Sequence, residues 1–270
     1  MQFAVNGHVY ITKAHANAKT AFHVRLMINR ADNPGIIVIP TLIPVNTSIQ
    51  QDTLTKIICD RWMIEAKKFF TDSGFAVDKI ICKSFSTSLD GTDQSVRSGK
   101  TNLSRLIADA MLAATADSGC VIAIYNAGSI RIDDIINPPL TQYAFLRALP
   151  YGGAIRMAEI KGSLIRKMIV ANNSLKDGGS FLQFTDNVSA NNLTINGKPI
   201  NDEQTYKVAM ANYLIDNKTK IDTLYKEFSG FVKIYSKPLP KDSSLYDVRK
   251  AVINYLINNC GNKELLDKYK

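Results

Sequence analysis

The stretch VIAIYNAGSIR, residues 121–131, decides the fold that this sequence predicts. Its first five residues, 121–125, form an apolar run of strand length, which is typical of a buried strand. The chain then turns at Gly128 and presents Arg131 directly after the turn. The sequence therefore predicts a buried strand whose end carries a guanidinium group.

A second motif, PYGG at residues 150–153, follows the stretch TQYAFLRAL (141–149), whose apolar spacing predicts a short helix. The proline and the two glycines end this helix in a turn and leave Tyr151 between them. An arginine after one turn and an aromatic ring in another suit a ligand that combines a phosphate with a flat ring.

The rest of the chain mixes strand patterns with helix patterns. Apolar runs and period-two alternation predict strands at 3–12, 20–30, 36–45, 77–85, 154–160, 180–184, 193–200 (a hairpin at Asn196-Gly197) and 206–214. Helical spacing predicts helices at 48–72 (after a capping box at Thr47 and Gln50), 101–117, 162–173, 219–228, 244–259 and 263–269. A loop is predicted at 89–97, and a loop or edge segment at 233–240. This mixture predicts an α/β class (α+β mixed) rather than a purely parallel sheet.

Length and composition predict a sizeable core. The chain has 270 residues, of which 46% are hydrophobic, enough for one large domain or two small ones. No apolar run approaches the roughly 20 residues of a membrane span. The N-terminus lacks the basic start and the cleavage site of a secretory signal. We therefore expect neither a membrane span nor a signal peptide in this sequence.

Charge and histidine content restrict the chemistry. The net charge of +9 attracts phosphorylated small molecules, nucleic acid or anionic lipid, and a solvated basic surface is the alternative. The basic residues are dispersed, so no nucleic-acid partner is predicted. The three histidines, His8, His15 and His23, all lie near the N-terminus. A histidine general base or an imidazole metal centre would have to use that segment alone.

The four cysteines, Cys59, Cys82, Cys120 and Cys260, are scattered along the chain without a CxxC pair or a neighbouring histidine. This spacing does not indicate a zinc site, and all four are predicted to be ordinary core or surface thiols. Unpaired cysteines weigh slightly against an oxidising compartment.

The order of motifs from Asp90 to Leu214 resembles the C-terminal domain of the 5'-nucleotidases, the family that includes periplasmic UDP-sugar hydrolase. The matching stretches are VR with TNLSRLIADAM (96–111), NAGSIR (126–131), PYGG (150–153), KGSLI (161–165), GGSFLQF (178–184), and INGKPI with YKVAMANYL (195–214). Each motif is short, but their common order makes the resemblance specific. It implies a layered α/β/β/α fold and a substrate-binding role.

The resemblance also implies how the chain is divided. TLIPVN (41–46) is similar to the end of the family's metallophosphatase domain. Residues 1–46 are therefore predicted to be a remnant of that domain, 47–75 the linker helix and 76–270 the substrate-binding domain. Most of the metallophosphatase domain, with its divalent metal ions, is expected outside this sequence, and no cofactor or metal is expected on this chain.

The segment Gly7-His8-Val9-Tyr10 is similar to a metal-binding GHxH motif of the family, but its last residue is a tyrosine. His8 is therefore predicted to be a strand residue, and metal ligation is the alternative.

Phosphate contacts are assigned by the same resemblance. Arg131 and Arg97 match the arginines of the family's GIR and VR motifs, and a guanidinium offers phosphate a planar fork of donors. Gly179 matches a glycine whose backbone approaches the ligand. The alternatives are structural ion pairs for the arginines, for example of Arg131 with Asp133 or Asp134, and an ordinary turn for the glycine.

Base contacts are assigned to Tyr151 and Tyr213, which match two aromatic residues that enclose the base. Their alternative is a core or surface position. Three departures weaken nucleotide specificity: Asp93 replaces a second arginine, Gly153 replaces an asparagine that contacts the base, and the family's GGDGY segment is missing. In the family, an aspartate of that segment holds the ribose hydroxyls, and Asp216 lies near its position in this sequence. That Asp216 takes over this role is the less favoured interpretation.

The predicted function is the nucleotide-recognition domain of a metal-dependent 5'-nucleotidase-type phosphoesterase. It would hydrolyse nucleoside phosphates only when combined with a metallophosphatase domain, because no catalytic residue is predicted in this chain. The alternative is a catalytically inactive binding or interaction module that has diverged from nucleotide recognition. The predicted partners are a nucleotide or other phosphorylated small molecule and a metallophosphatase domain. The resemblance implies a periplasmic or exported location.

Overall fold

The computed structural model describes residues 2–4, 9–29, 35–216, 230–235, 240 and 243–270. The predictions for His8 and for the helix at 219–228 lie outside these residues. The chain forms two compact units, Met1–Phe69 and Phe70–Lys270. Among the described helices, none combines the length and the apolar character needed to cross a bilayer.

The first unit contains two antiparallel strand pairs. Strands β1 (Gln2–Ala4) and β2 (Val9–Ile11) pair with each other, so the single strand predicted at 3–12 is two strands. Strands β3 (Thr20–Asn29) and β4 (Gly35–Pro44) form a ten-residue ribbon, which confirms the strands predicted at 20–30 and 36–45.

Helix α1 (Thr53–Asp72) follows the ribbon and begins later than predicted. The proposed capping box at Thr47 and Gln50 is wrong. Asn46 Oδ1 accepts a hydrogen bond from the backbone two residues later at 2.9 Å, and this local turn is not helical. Asp52 Oδ1 instead accepts from the Thr55 backbone N–H at 2.8 Å. Hydrogen bonds from Thr55 to its carboxylate hold the pKa of Asp52 below its usual value.

The second unit supplies the remaining elements. Its strands are β5 (Ile80–Cys82), β6 (Leu89–Asp90), β7 (Ile122–Asn126), β8 (Ile135–Ile136), β9 (Leu140–Thr141), β10 (Ile155–Lys161), β11 (Leu182–Phe184), β12 (Val188–Ser189), β13 (Thr194–Ile195), β14 (Lys198–Pro199), β15 (Thr205–Ala211) and β16 (Phe231–Tyr235). Its α-helices among the described residues are α2 (Asp93–Ser98), α3 (Asn102–Ala113), α4 (Gln142–Ala148), α5 (Gly162–Ala171), α6 (Asn212–Asp216), α7 (Val248–Asn258) and α8 (Lys263–Asp267).

A five-stranded mixed sheet forms the centre of this unit, in the order β11-β7-β15-β10-β16. Strands β7 and β15 are parallel, and the other neighbours are antiparallel. Strand β16 lies at the edge, as predicted for part of the segment 233–240. The Asn196-Gly197 hairpin joins β13 to β14, with both residues at positive φ, as predicted.

Both faces of the sheet are buried. Ile122 and Ile124 of β7 pack into one core together with α5, and Ala123 and Tyr125 pack into a second core together with α3, α4 and α7. Successive side chains of a strand point to opposite faces, so an uninterrupted apolar run can serve two cores at once. The predicted mixed, layered α/β class is confirmed.

The segment predicted as a loop at 89–97 contains β6 and α2. The Asp90 carboxylate accepts from the Thr92 backbone and hydroxyl at 2.9 and 2.7 Å, which ends the strand in a tight turn just before the helix. Arg97 therefore lies on a helix, where a residue four positions away becomes its neighbour.

The strand predicted at 206–214 ends at Ala211, and Tyr213 lies on helix α6 instead. Ala211 is opposite Ile155, the first residue of the neighbouring strand β10. The residues that follow Ala211 therefore have no strand beside them on that side, and the Asn212 backbone N–H donates to Ala154 O at 2.9 Å.

Cys82 and Cys260 form a disulfide, with their Cα atoms 5.3 Å apart and a separation of 178 residues along the chain. The prediction that all four cysteines are ordinary thiols is wrong for this pair, and Cys59 and Cys120 are free. Strand β5 packs against helix α7, which brings the two cysteines together. A pair so distant in sequence has no spacing signal that could have predicted it.

Candidate functional site

A cavity of about 730 Å³ lies at one edge of the central sheet. Parallel strands β7 and β15 end at this edge, and their antiparallel neighbours β11 and β10 begin there. Four separate chain segments therefore meet around it. The lining residues are Asn126, Gly128, Ser129, Arg131, Tyr151, Gly152, Gly153, Gly179, Ser180, Ala211, Asn212, Tyr213 and Asp216. We call this space the strand-end cavity.

The turn after β7 packs directly on the loop that precedes β11. Gly179 O accepts from the Gly128 backbone N–H at 2.9 Å and from Asn126 Nδ2 at 3.0 Å. A Cβ atom on Gly128 would lie 2.8 Å from Gly179 O, closer than side chains tolerate. Glycine at this position therefore allows the two loops to form one wall of the strand-end cavity.

Arg131 presents an exposed side chain to the strand-end cavity. Among the described residues its guanidinium has neither an ion pair nor a hydrogen bond, so the proposed pairing with Asp133 or Asp134 is not formed. Asp133 Oδ1 accepts from the Asp93 backbone at 3.0 Å, and Asp134 Oδ1 accepts from the backbone of the next residue at 2.9 Å. The cavity thus has a permanent cation available to an anionic ligand.

Tyr151 and Tyr213 both line the strand-end cavity, with 74% and 41% of their surfaces exposed. Neither is a core residue, which leaves a surface position or a ligand contact as its role. Tyr151 precedes Gly152 and Gly153, whose φ angles of +58° and +101° create the turn that carries the ring.

The PYGG turn is held from behind by the start of helix α7, a contact that the sequence did not suggest. The Val248 backbone N–H donates to Gly153 O at 2.9 Å. The Arg249 guanidinium lies against Gly152, and its central carbon is 5.2 Å from the centre of the Phe75 ring. Its Nε donates to both oxygens of the buried Asp247 carboxylate, at 2.9 and 3.1 Å.

Arg97 is the one proposed phosphate ligand that does not line the strand-end cavity. Its Nη2 lies 2.8 Å from Asp93 Oδ2, and 23% of its side chain is exposed. Among the described residues its buried Nε has no hydrogen-bond partner. Its backbone oxygen accepts from Asp177 at 3.0 Å, which anchors the loop that continues to Gly179.

Several polar lining residues were not proposed from the sequence, among them Asn126, Ser129, Ser180 and Asn212. Asn126 is 6% exposed, and its Oδ1 accepts from the Ser129 hydroxyl at 3.0 Å. The first two belong to the NAGSIR motif itself, so the motif contained the signal. Asp216, the weaker candidate, also lines the cavity.

The described residues contain no group of three or more His, Cys, Asp or Glu side chains that could hold a metal ion. In the part of the chain that the structure describes, the strand-end cavity offers hydrogen-bonding groups, the Arg131 guanidinium and two aromatic faces.

A concave cavity of this size, with a few polar groups and two aromatic rings in its lining, has the features of a small-molecule binding site. The family model of the 5'-nucleotidase C-terminal domain matches residues 82–226, and the chain belongs to that family.

Two curated relatives cover different shares of the chain. Protein UshA of Yersinia enterocolitica is 28% identical over 211 residues, which are 72% of this chain and 38% of that protein. Human 5'-nucleotidase is 31% identical over 132 residues, which are 46% of this chain and 22% of that protein. The chain therefore spans well under half the length of these relatives.

The crystal structure of a 5'-nucleotidase precursor from Thermus thermophilus matches with a TM-score of 0.67 at 20% identity. The match covers 89% of this chain and 47% of that chain. At this identity the similarity establishes the fold.

Proposed function

We propose that this chain is the nucleotide-recognition part of a 5'-nucleotidase-type phosphoesterase and binds nucleoside phosphates in the strand-end cavity. One observation carries the proposal: Arg131, Tyr151, Gly179 and Tyr213, taken from four separate motifs, line a single cavity. The guanidinium of Arg131 binds the phosphate, and the two tyrosine rings stack on the base.

Calorimetry of the whole chain with AMP, UMP, UDP-glucose and adenosine tests this proposal. We expect micromolar binding of at least one nucleotide. Arg131→Ala should weaken it about tenfold or more, because a hydrogen bond to a charged group contributes about 1.5–3 kcal/mol. Tyr213→Ala should weaken it by a similar factor, since one stacked base contributes about 1–3 kcal/mol.

Arg147→Ala is the matched control, because Arg147 is exposed and does not line the cavity. This variant should bind as the unmodified chain does. The absence of any binding at millimolar nucleotide would reject the proposal.

The hydrolytic step is proposed to require a metallophosphatase domain. The first unit has a surface that supports such a partner, because its ribbon and helix α1 expose large apolar side chains, and exposed apolar surface marks interaction sites. These side chains are Val24, Leu26, Met27, Ile28, Ile36, Ile37, Ile39, Leu42, Ile43, Leu54, Ile57, Ile58, Trp62, Met63, Ile64 and Phe69.

Phosphatase assays separate the two parts of this proposal. The isolated chain should release no more phosphate from AMP than a heat-treated control. Adding a separately produced metallophosphatase domain of the family, with divalent metal, should produce hydrolysis that Arg131→Ala reduces. Activity of the isolated chain would contradict the assignment of catalysis to a partner.

A second candidate function is a binding module that no longer recognises nucleotides. The ion pair between Arg97 and Asp93 favours it, because that pair occupies one of the two arginines that the resemblance assigns to phosphate. This candidate predicts no nucleotide binding in the same calorimetry.

A further inference from the structure

Asn212 lies in the wall of the strand-end cavity, and neither the phosphate nor the stacking contacts proposed above use it. It is the first residue of helix α6, immediately before Tyr213, and its side chain is half-buried. Among the described residues its carboxamide has no hydrogen-bond partner. A carboxamide carries two N–H donors and one oxygen acceptor, and such groups are usually paired when they are removed from water.

The carboxamide of Asn212 lies where a side chain at position 153 would otherwise be. A Cβ atom on Gly153 would lie 2.5 Å from Asn212 Oδ1 and 3.9 Å from Nδ2. Position 153 and Asn212 therefore compete for one space, and glycine leaves it to the amide. Because Tyr213 follows Asn212 and Tyr151 precedes Gly152 and Gly153, the amide lies between the two segments that carry the aromatic rings.

We propose that Asn212 is the residue that determines base specificity, and that it selects a 6-aminopurine nucleotide. This inference rests on the proposed function. A carboxamide pairs with a ring edge that offers one donor beside one acceptor, which is how asparagine recognises the edge of adenine. That contact uses the N6–N7 edge of adenine. The matching O6–N7 edge of a 6-oxopurine offers two neighbouring acceptors instead, so one half of the amide would face a group of the same kind.

Calorimetry of the whole chain with AMP and IMP tests the inference, because along the N7 edge these nucleotides differ only in the exocyclic group. The unmodified chain should bind AMP about tenfold more tightly than IMP, since an unpaired polar group costs about 1–3 kcal/mol. In Asn212→Ala the ratio should fall to about one, through weaker binding of AMP. Asn212→Leu, which keeps the branched shape of the side chain but loses its polar atoms, should give the same result.

Asn192→Ala is the matched control, because Asn192 is exposed and lies outside the cavity. It should keep the ratio of the unmodified chain, and thermal melting should show that all variants are folded. An unchanged ratio in folded Asn212→Ala, or an equal loss of both nucleotides, would overturn the inference and leave the proposed function intact. If the unmodified chain binds UMP or UDP-glucose but neither AMP nor IMP, this inference fails and the proposed function stands; if it binds no nucleotide at all, both fail.

Discussion

The charges of individual residues near the strand-end cavity differ from what the order of motifs predicts. Within the described part of the chain Arg131 has no ionic partner, whereas Arg97 is paired with Asp93 through an i,i+4 ion pair on helix α2. Because Arg97 does not line the cavity, its guanidinium would have to leave the Asp93 carboxylate and turn toward the cavity to contact a ligand phosphate. The positive charge available to a ligand is therefore concentrated on one arginine.

Asp93→Asn is expected to tighten AMP binding. The change removes the carboxylate that competes for Arg97, and a partly exposed ion pair of this kind contributes roughly 0.2–1 kcal/mol. Calorimetry should then show a gain of about 1.4- to fivefold for AMP and no change for adenosine, which lacks the phosphate.

Asp117→Asn is the control for net charge, because Asp117 is exposed and remote from the cavity lining. An equal gain in this variant would mean that overall charge, rather than release of Arg97, is responsible. No gain in Asp93→Asn would mean that Arg97 has a purely structural role.

At the scale of elements, the strand-end cavity depends on two close contacts between segments that are distant in the chain. The turn after β7 touches the loop before β11 through Gly128 and Gly179, and the PYGG turn lies against the start of helix α7. Both contacts hold loops at the edge of the central sheet, whose strands are buried. The packed core therefore fixes the positions of the exposed loops around the cavity.

Gly128→Ala should destabilise the chain by about 1–3 kcal/mol, because the new methyl group would press against Gly179 O and the two loops would have to separate. Urea unfolding measures the loss, and nucleotide binding should weaken at the same time. Gly261→Ala is the control, since a Cβ atom there meets nothing within 4 Å. Equal stability of the two variants would contradict the close packing described above.

Arg249→Met should destabilise the chain by about 2 kcal/mol or more, because the buried Asp247 carboxylate would lose its partner. Combining this change with Asp247→Asn should restore part of the stability, since no unpaired charge then remains. Urea unfolding of the single and double variants checks the order. A double variant less stable than Arg249→Met would show that the ion pair is not the source of the loss.

The disulfide is the main constraint at the scale of the whole molecule. It joins Cys82, near the start of the second unit, to Cys260, near its end. A cross-link over 178 residues restricts the unfolded chain across most of this unit. Disulfides persist in oxidising compartments, so this pair removes the slight weight against such a compartment that four unpaired cysteines would have carried.

Removing the disulfide should lower stability by about 2–5 kcal/mol. Cys82→Ser with Cys260→Ser should therefore melt at a lower temperature than the unmodified chain, whereas Cys59→Ser with Cys120→Ser should melt close to it. Thiol titration of the denatured, unreduced chain should find the two thiols of Cys59 and Cys120. Four titrating thiols would contradict the pairing.

Local pattern alone was enough to predict the type of most of the elements described. The apolar run at 121–125, the Asn196-Gly197 hairpin and the apolar spacing of 162–173 each contain their own signal. Element ends were predicted less well. Strand β15 ends at Ala211 because its neighbour β10 begins opposite that residue. The residue types between 206 and 214 contain no signal for this end.

The sequence by itself determined the family and four of the residues around the strand-end cavity, because motif order and residue type are properties of the chain alone. Tertiary structure alone decided that these four residues share one cavity and Arg97 does not, that Cys82 meets Cys260, that Arg249 supports the PYGG turn, and that Asn212 takes the space beside Gly153. Each of these is a contact between segments far apart in the chain. Such contacts depend on which strands pair and which helices cover them, and no local pattern encodes that choice.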